Sequence, residues 1–89
     1  RFKPEVKADQ IQAMAKGFQG LVNIVPTVSR FEFGPDLNIR DDTWDYALVI
    51  DFPDEEALFS YRDHPTHLSF ADRFMPLIDE VARVQYWVD

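Results

Sequence analysis

The stretch Tyr61-Arg62-Asp63-His64-Pro65-Thr66-His67-Leu68-Ser69-Phe70 holds both histidines of the chain, with a proline between them. Proline disfavours helical geometry in the residue before it yet suits a first helical turn, so Pro65 is expected to end one helix and begin the next. His64 then lies at the mouth of the second helix, where it suits capping, and His67 lies two residues inside. Tyr61 and His67 flank the break. Two proton-carrying side chains on adjacent helices that both pack against a sheet can point into one cavity.

Working outward, Asp54 is a good N-cap, and Glu55 and Glu56 follow in a first turn, so a helix is expected from there to Arg62 with Leu58 and Tyr61 on its inner side. Beyond Pro65, the residues Leu68, Ala71, Phe74, Met75, Ile78 and Val81 recur at helical spacing, and Pro76 kinks or restarts that helix. Val81 to Val88 alternates as a last strand. Upstream, Trp44 to Phe52 is the strongest strand, with Trp44, Tyr46, Leu48, Ile50 and Phe52 on one face. Val28 to Gly34 alternates too, placing Phe31 and Phe33 together, and Gly34, Pro35, Asp36 and Asn38 give a turn. Ile11, Met14, Ala15, Phe18, Leu21 and Val22 mark a helix from about Ala8 to Asn23, closed by Pro26. Gly17 and Gly20 lie inside it, each costing about 1 kcal/mol relative to alanine, and serve either close packing or a frayed last turn. Phe2-Lys3-Pro4 reads as the exit of a strand whose earlier part lies upstream.

The order is a partial strand, helix, strand, strand, helices, strand. That is the α+β, ferredoxin-like split βαβ plan: an antiparallel sheet with helices on one face, in a single domain over residues 1–89. A domain of this size buries only about 60% of its unfolded surface. With 46% hydrophobic and 15% aromatic residues, the chain carries more ring area than so small a core needs, and a homodimer is the expected home for the excess. A formal charge of −7 argues against a nucleic acid or an anionic membrane surface as partner. The absence of cysteine leaves no disulfide framework, zinc knuckle or thiol nucleophile, and leans toward a cytoplasmic location. No apolar run approaches the roughly 20 residues that span a bilayer.

The chain resembles the stress-responsive dimeric α/β-barrel (Dabb) domain family over nearly its whole length. The likeness rests on Phe2-Lys3-Pro4-Glu5-Val6, Phe33-Gly34-Pro35-Asp36-Leu37, Asp54-Glu55-Glu56-Ala57-Leu58, His64-Pro65-Thr66-His67 with Phe70, Pro76-Leu77-Ile78 and Val84-Gln85-Tyr86. Each piece is weak alone; in this order and spacing they are fairly specific. The resemblance implies a ferredoxin-like monomer whose sheet packs on that of a second subunit to form a barrel. It also implies a first strand upstream of Arg1 that often carries a histidine. Some members are known chiefly as stable stress-induced proteins, while a plant member is a polyketide cyclase that uses a tyrosine and a histidine. The matching positions here are Tyr61 and His67, and Leu21-Val22-Asn23-Ile24-Val25-Pro26 is similar to the cyclase as well. Tyr46 stands where the cyclase-like pattern has a histidine, and Ile78 where it is aromatic.

These readings give a protein that binds a small apolar, aromatic or polyketide-like molecule between helices and sheet. Met14, Phe18, Tyr46, Leu48, Phe70, Phe74 and Ile78 are the candidate lining, and the bland alternative for the same residues is core. A cofactor-free cyclase, isomerase or oxygenase, with His67 as base and Tyr61 as acid, is the enzymatic alternative. A structural, stress-stable homodimer without ligand is the third; there His67 is satisfied by a backbone carbonyl or by Tyr61. Two histidines at i and i+3 across a proline are poor metal-ligand geometry, so neither metal nor cofactor is expected.

Overall fold

The structure, a computed structural model, describes residues 1–24 and 28–88. Its elements are α1 (Ala8–Ile24), β1 (Arg30–Pro35), β2 (Tyr46–Asp51), α2 (Glu55–Asp63), α3 (Pro65–Phe74) and a short 3₁₀ turn, Met75–Leu77. Pro26, expected to close α1, lies outside the described residues. β1 and β2 pair antiparallel in the register Arg30↔Asp51, Phe31↔Ile50, Phe33↔Leu48 and Pro35↔Tyr46. The alternation of each strand therefore puts Phe31, Phe33, Tyr46 and Ile50 on one face. That face packs on the buried cluster of Met14, Phe18, Leu21, Tyr61 and Phe74 supplied by the helices. The opposite face carries Arg30, Glu32, Ala47 and Val49, all exposed.

The connection between the strands is held by Asp36, whose carboxylate accepts from the Asn38 N–H at 3.0 Å and the Thr43 hydroxyl at 2.9 Å. Asn38 adopts φ 58°, a left-handed conformation that asparagine tolerates better than most residues. At the start of α2, Asp54 Oδ1 accepts from the Ala57 N–H at 2.8 Å, the N-cap expected from the sequence.

Two expectations fail in the C-terminal third. The helix after Pro65 stops at Phe74 and does not carry its spacing on to Ile78 and Val81. Pro76 has no N–H, and its ring would strike the carbonyl four residues back, so the chain tightens into the 3₁₀ turn. Ile78 is then extended (φ −102°, ψ 129°) and forms an antiparallel bridge with Phe2. Nor is Val81–Val88 a strand: its alternation persists but the segment has no ladder, and the sheet among the described residues is two-stranded. A strand needs a neighbouring backbone as well as an alternating pattern, and among the described residues no strand pairs with this segment beyond the Phe2–Ile78 bridge. Val84, Tyr86, Trp87 and Val88 consequently stand 71–77% exposed. Among the described residues no helix is long and apolar enough to cross a membrane.

Candidate functional site at the junction of α2 and α3

His64 is the only residue between the two helices. Pro65 keeps it extended (φ −65°, ψ 134°), its N–H donates to the Tyr61 carbonyl at 3.2 Å, and its carbonyl accepts from the Leu68 N–H at 3.0 Å. Its ring serves α3: Nδ1 accepts the Thr66 N–H at 3.1 Å, taking up one of the donors that a helix start leaves free. His64 therefore carries its proton on Nε2.

His67, when neutral, is in the opposite tautomer. Its Nδ1 lies 3.0 Å from the Arg62 carbonyl oxygen, and a carbonyl can only accept, so Nδ1 bears a hydrogen and Nε2 of the neutral ring keeps its lone pair. The imidazole packs on the Tyr61 ring with centroids 4.4 Å apart. Tyr61 itself is 6% exposed, and no residue among those described hydrogen-bonds its hydroxyl. Burial pushes the phenol up to about 12, so at neutral pH it is protonated and a donor. The fold thus brings a protonated phenol ring and an imidazole ring together. Polarising a ligand oxygen and accepting a proton are what such a pair can do chemically.

The expected lining divides. Met14, Phe18 and Phe74 are buried in the cluster that includes Tyr61, with Phe70 and Tyr46 packed against it. Phe18 is the hub, 4.7 Å from Phe70 and 6.2 Å from Tyr46, ring centre to ring centre. Leu48 and Ile78 are not drawn in: Leu48 is 41% exposed and Ile78 sits at the bridge to Phe2. The rings nearest Tyr61 besides His67 are Phe52 at 5.4 Å and Phe31 at 6.4 Å, neither of which the sequence singled out for the site. Strand alternation had already placed both on the inner face, and that was the available signal. Two open surface concavities lie away from the Tyr61–His67 pair. One of about 340 Å³ is bounded by Gly34–Leu37 and Thr43, Trp44, Tyr46 and Ala47, and one of about 320 Å³ by Pro53, Asp54, Glu56, Ala57 and Ser60. Among the described residues no cluster of histidine, aspartate and glutamate is arranged to hold a metal.

Helices packed on one face of an antiparallel sheet define an α+β domain of ferredoxin-like class. A solved neighbour, a dimeric ferredoxin-like protein of unknown function from Thermobifida fusca, superposes with TM-score 0.83 at 26% identity, covering 90% of this chain and 76% of that one. The family model described as the stress responsive A/B barrel domain matches residues 1–88, and the chain belongs to that family. It is similar to the stress-response A/B barrel domain-containing protein HS1 of Arabidopsis thaliana, 31% identical over 87 residues, 96% of this chain and 80% of the relative. It is also similar to the olivetolic acid cyclase of Cannabis sativa, 25% identical over 88 residues, 97% of this chain and 87% of the relative.

Proposed function

We propose that this A/B barrel domain protein works as a cytoplasmic homodimer that binds a small, mostly apolar, aromatic or polyketide-like molecule at the α2–α3 junction. One observation carries the reading: Tyr61 is 6% exposed, packed among rings, and its hydroxyl has no hydrogen-bond partner among the described residues. A buried hydroxyl left unpaired costs about 1–3 kcal/mol, and a ligand oxygen arriving there removes that cost. Phe31 and Phe52 flank the Tyr61 ring, and Phe18 and Phe70 continue the apolar surface beyond Phe31, which selects a carbon skeleton carrying one or two oxygens. Met14, Tyr46 and Phe74 extend that lining, whereas Leu48 and Ile78 stand outside it. The dimeric description of the Thermobifida fusca neighbour supports the assembly.

A second reading has its own support. His67 Nε2 is free to accept a proton and Tyr61 is protonated, which suits cofactor-free ring closure or isomerisation of a carbonyl compound with His67 as base and Tyr61 as acid. Likeness to a cyclase favours it. Calorimetric titration with para-pentylphenol separates the possibilities. Binding that weakens at least about tenfold in Tyr61→Phe, yet stays within about threefold in His67→Ala, is the expected result. Absence of heat with any alkylphenol, in a protein verified as dimeric, would leave the purely structural dimer as the function. Turnover of a carbonyl substrate that disappears in His67→Ala would establish the enzyme.

A further inference from the structure

The loop that joins β1 to β2 is braced by its own polar groups. The Asp36 N–H donates to the Asp45 carbonyl at 2.9 Å and closes its base, and the Asp36 carboxylate takes the Asn38 N–H and the Thr43 hydroxyl. The Arg40 guanidinium donates twice to Asp42, at 2.8 and 2.9 Å. On this frame Leu37 and Ile39 are 80% and 79% exposed, more than any other large apolar side chain among the described residues. A braced loop has already lost the freedom that association would otherwise have to freeze.

Beside these projecting side chains lies a matching hollow. The concavity of about 340 Å³ is lined by Leu37 and Trp44 of the loop and by Gly34 and Ala47 of the strands. Gly34 and Ala47 are cross-strand partners on the sheet side that the helices leave uncovered, with Val49 further along the same face of β2. A Cβ on Gly34 would meet nothing within 4 Å. Loop and bare sheet face are therefore one continuous surface.

We infer that two copies of this chain lock through this loop, Ile39 of each copy seating in the other copy's concavity between Leu37 and Trp44. The inference rests on the homodimer proposed above and names the surface that joins it. A second copy fits because projection and hollow are separated by a single residue, Asn38. One two-fold axis beside the loop then makes both contacts at once, as an isologous interface requires. The loop together with the uncovered strand faces supplies a large part of the roughly 20–30 residues that each side of a standard interface uses. Charge does not forbid the contact: Arg40 neutralises Asp42, Asp36 is turned to donors within the loop, and Asp45 accepts the Phe2 N–H at 2.9 Å.

The test is dimer dissociation, followed by light scattering after size exclusion over a dilution series. Ile39→Asp is expected to weaken the dimer at least about thirtyfold, the effect of losing a central interface anchor. Leu68→Asp adds the same charge to an exposed position of α3 and should stay within about threefold of the wild type. Equal losses in the two variants would assign the effect to net charge and overturn the inference. A wild-type dimer indifferent to Ile39→Asp would overturn the seat alone and put the interface on another face. A wild-type monomer at micromolar concentration would overturn the seat and the homodimer together, leaving the loop to a different protein. Because the chain has no cysteine, a second measurement is direct. Chains carrying Ile39→Cys are mixed with ¹⁵N-labelled chains carrying Ala47→Cys and treated with a bismaleimide. Linked peptides that join one chain of each kind support the seat, and their absence overturns it.

Discussion

The proposed ligand site turns on the Tyr61 hydroxyl. Because it has no partner among the described residues, Tyr61→Phe is expected to leave the free protein as stable as the wild type or up to about 1 kcal/mol more stable, measured by thermal melting. A loss of more than 1 kcal/mol would mean that the hydroxyl is already satisfied. The same residue sets the alkaline limit. Its phenol is held neutral up to about 12 in the fold but ionises near 10 in the unfolded chain. As pH rises past 10, the unfolded state sheds its proton first and is stabilised by ionisation, so stability present below pH 10 is lost progressively toward pH 12. The loss attributable to Tyr61 is at most about 3 kcal/mol, and Tyr61→Phe should lack that part of the slope in denaturant titrations. The sequence located Tyr61 and His67 on either side of a helix break by the position of one proline. It did not say which ring nitrogen of His67 is bare, since that depends on the Arg62 carbonyl, a backbone atom aimed by the turn.

At the scale of the helix, the two glycines of α1 have opposite meanings. A Cβ on Gly17 would lie 2.6 Å from Phe70 Cε2 and 3.0 Å from Phe74 Cε2, whereas one on Gly20 would meet nothing within 4 Å. Gly17 is what lets α1 approach α3, and it admits the Phe18–Phe70 contact at 4.7 Å. Gly17→Ala gains helix propensity but must push a packed ring, with a net cost of about 1–2 kcal/mol. Gly20→Ala recovers up to about 1 kcal/mol. Their melting temperatures should fall on opposite sides of the wild type, and a stabilised Gly17→Ala would show that the Phe70 ring yields freely. Asp54→Ala should cost about 1 kcal/mol through the lost bond to the Ala57 N–H, with Asp54→Asn close to neutral. Periodicity made α1, α2 and the start of α3 legible, and alternation did the same for β1 and β2. The end of α3 was misjudged because apolar spacing continues through Pro76 while the hydrogen-bond ladder does not.

Across the whole molecule, the unresolved demand is apolar surface. Tyr86 and Trp87 are 74% and 71% exposed, Val84 and Val88 flank them, and Val49 looks out from the uncovered sheet face. Each large ring can bury roughly 150–250 Å², so two copies that cover these side chains approach the roughly 1,600 Å² of a standard interface. Light scattering after size exclusion should give a dimer at micromolar concentration. Because each copy carries −7, the dimer should dissociate more readily at 10 mM salt than at 150 mM. A monomer at both ionic strengths would sink the barrel assembly.

Local rules acting within a few residues determined most of this protein from its sequence: where helices start, which strand face is apolar, where a proline must break the chain, and the family to which these pieces belong. Only the tertiary structure decided the opposite roles of the His64 and His67 Nδ1 atoms, the absence of a partner for the Tyr61 hydroxyl among the described residues, the difference between Gly17 and Gly20, and the lack of a ladder along Val81–Val88. The histidine roles depend on how the turn aims nearby backbone groups, and the others on atoms far along the chain or on another backbone lying alongside; no pattern of residue types encodes the distance to any of them.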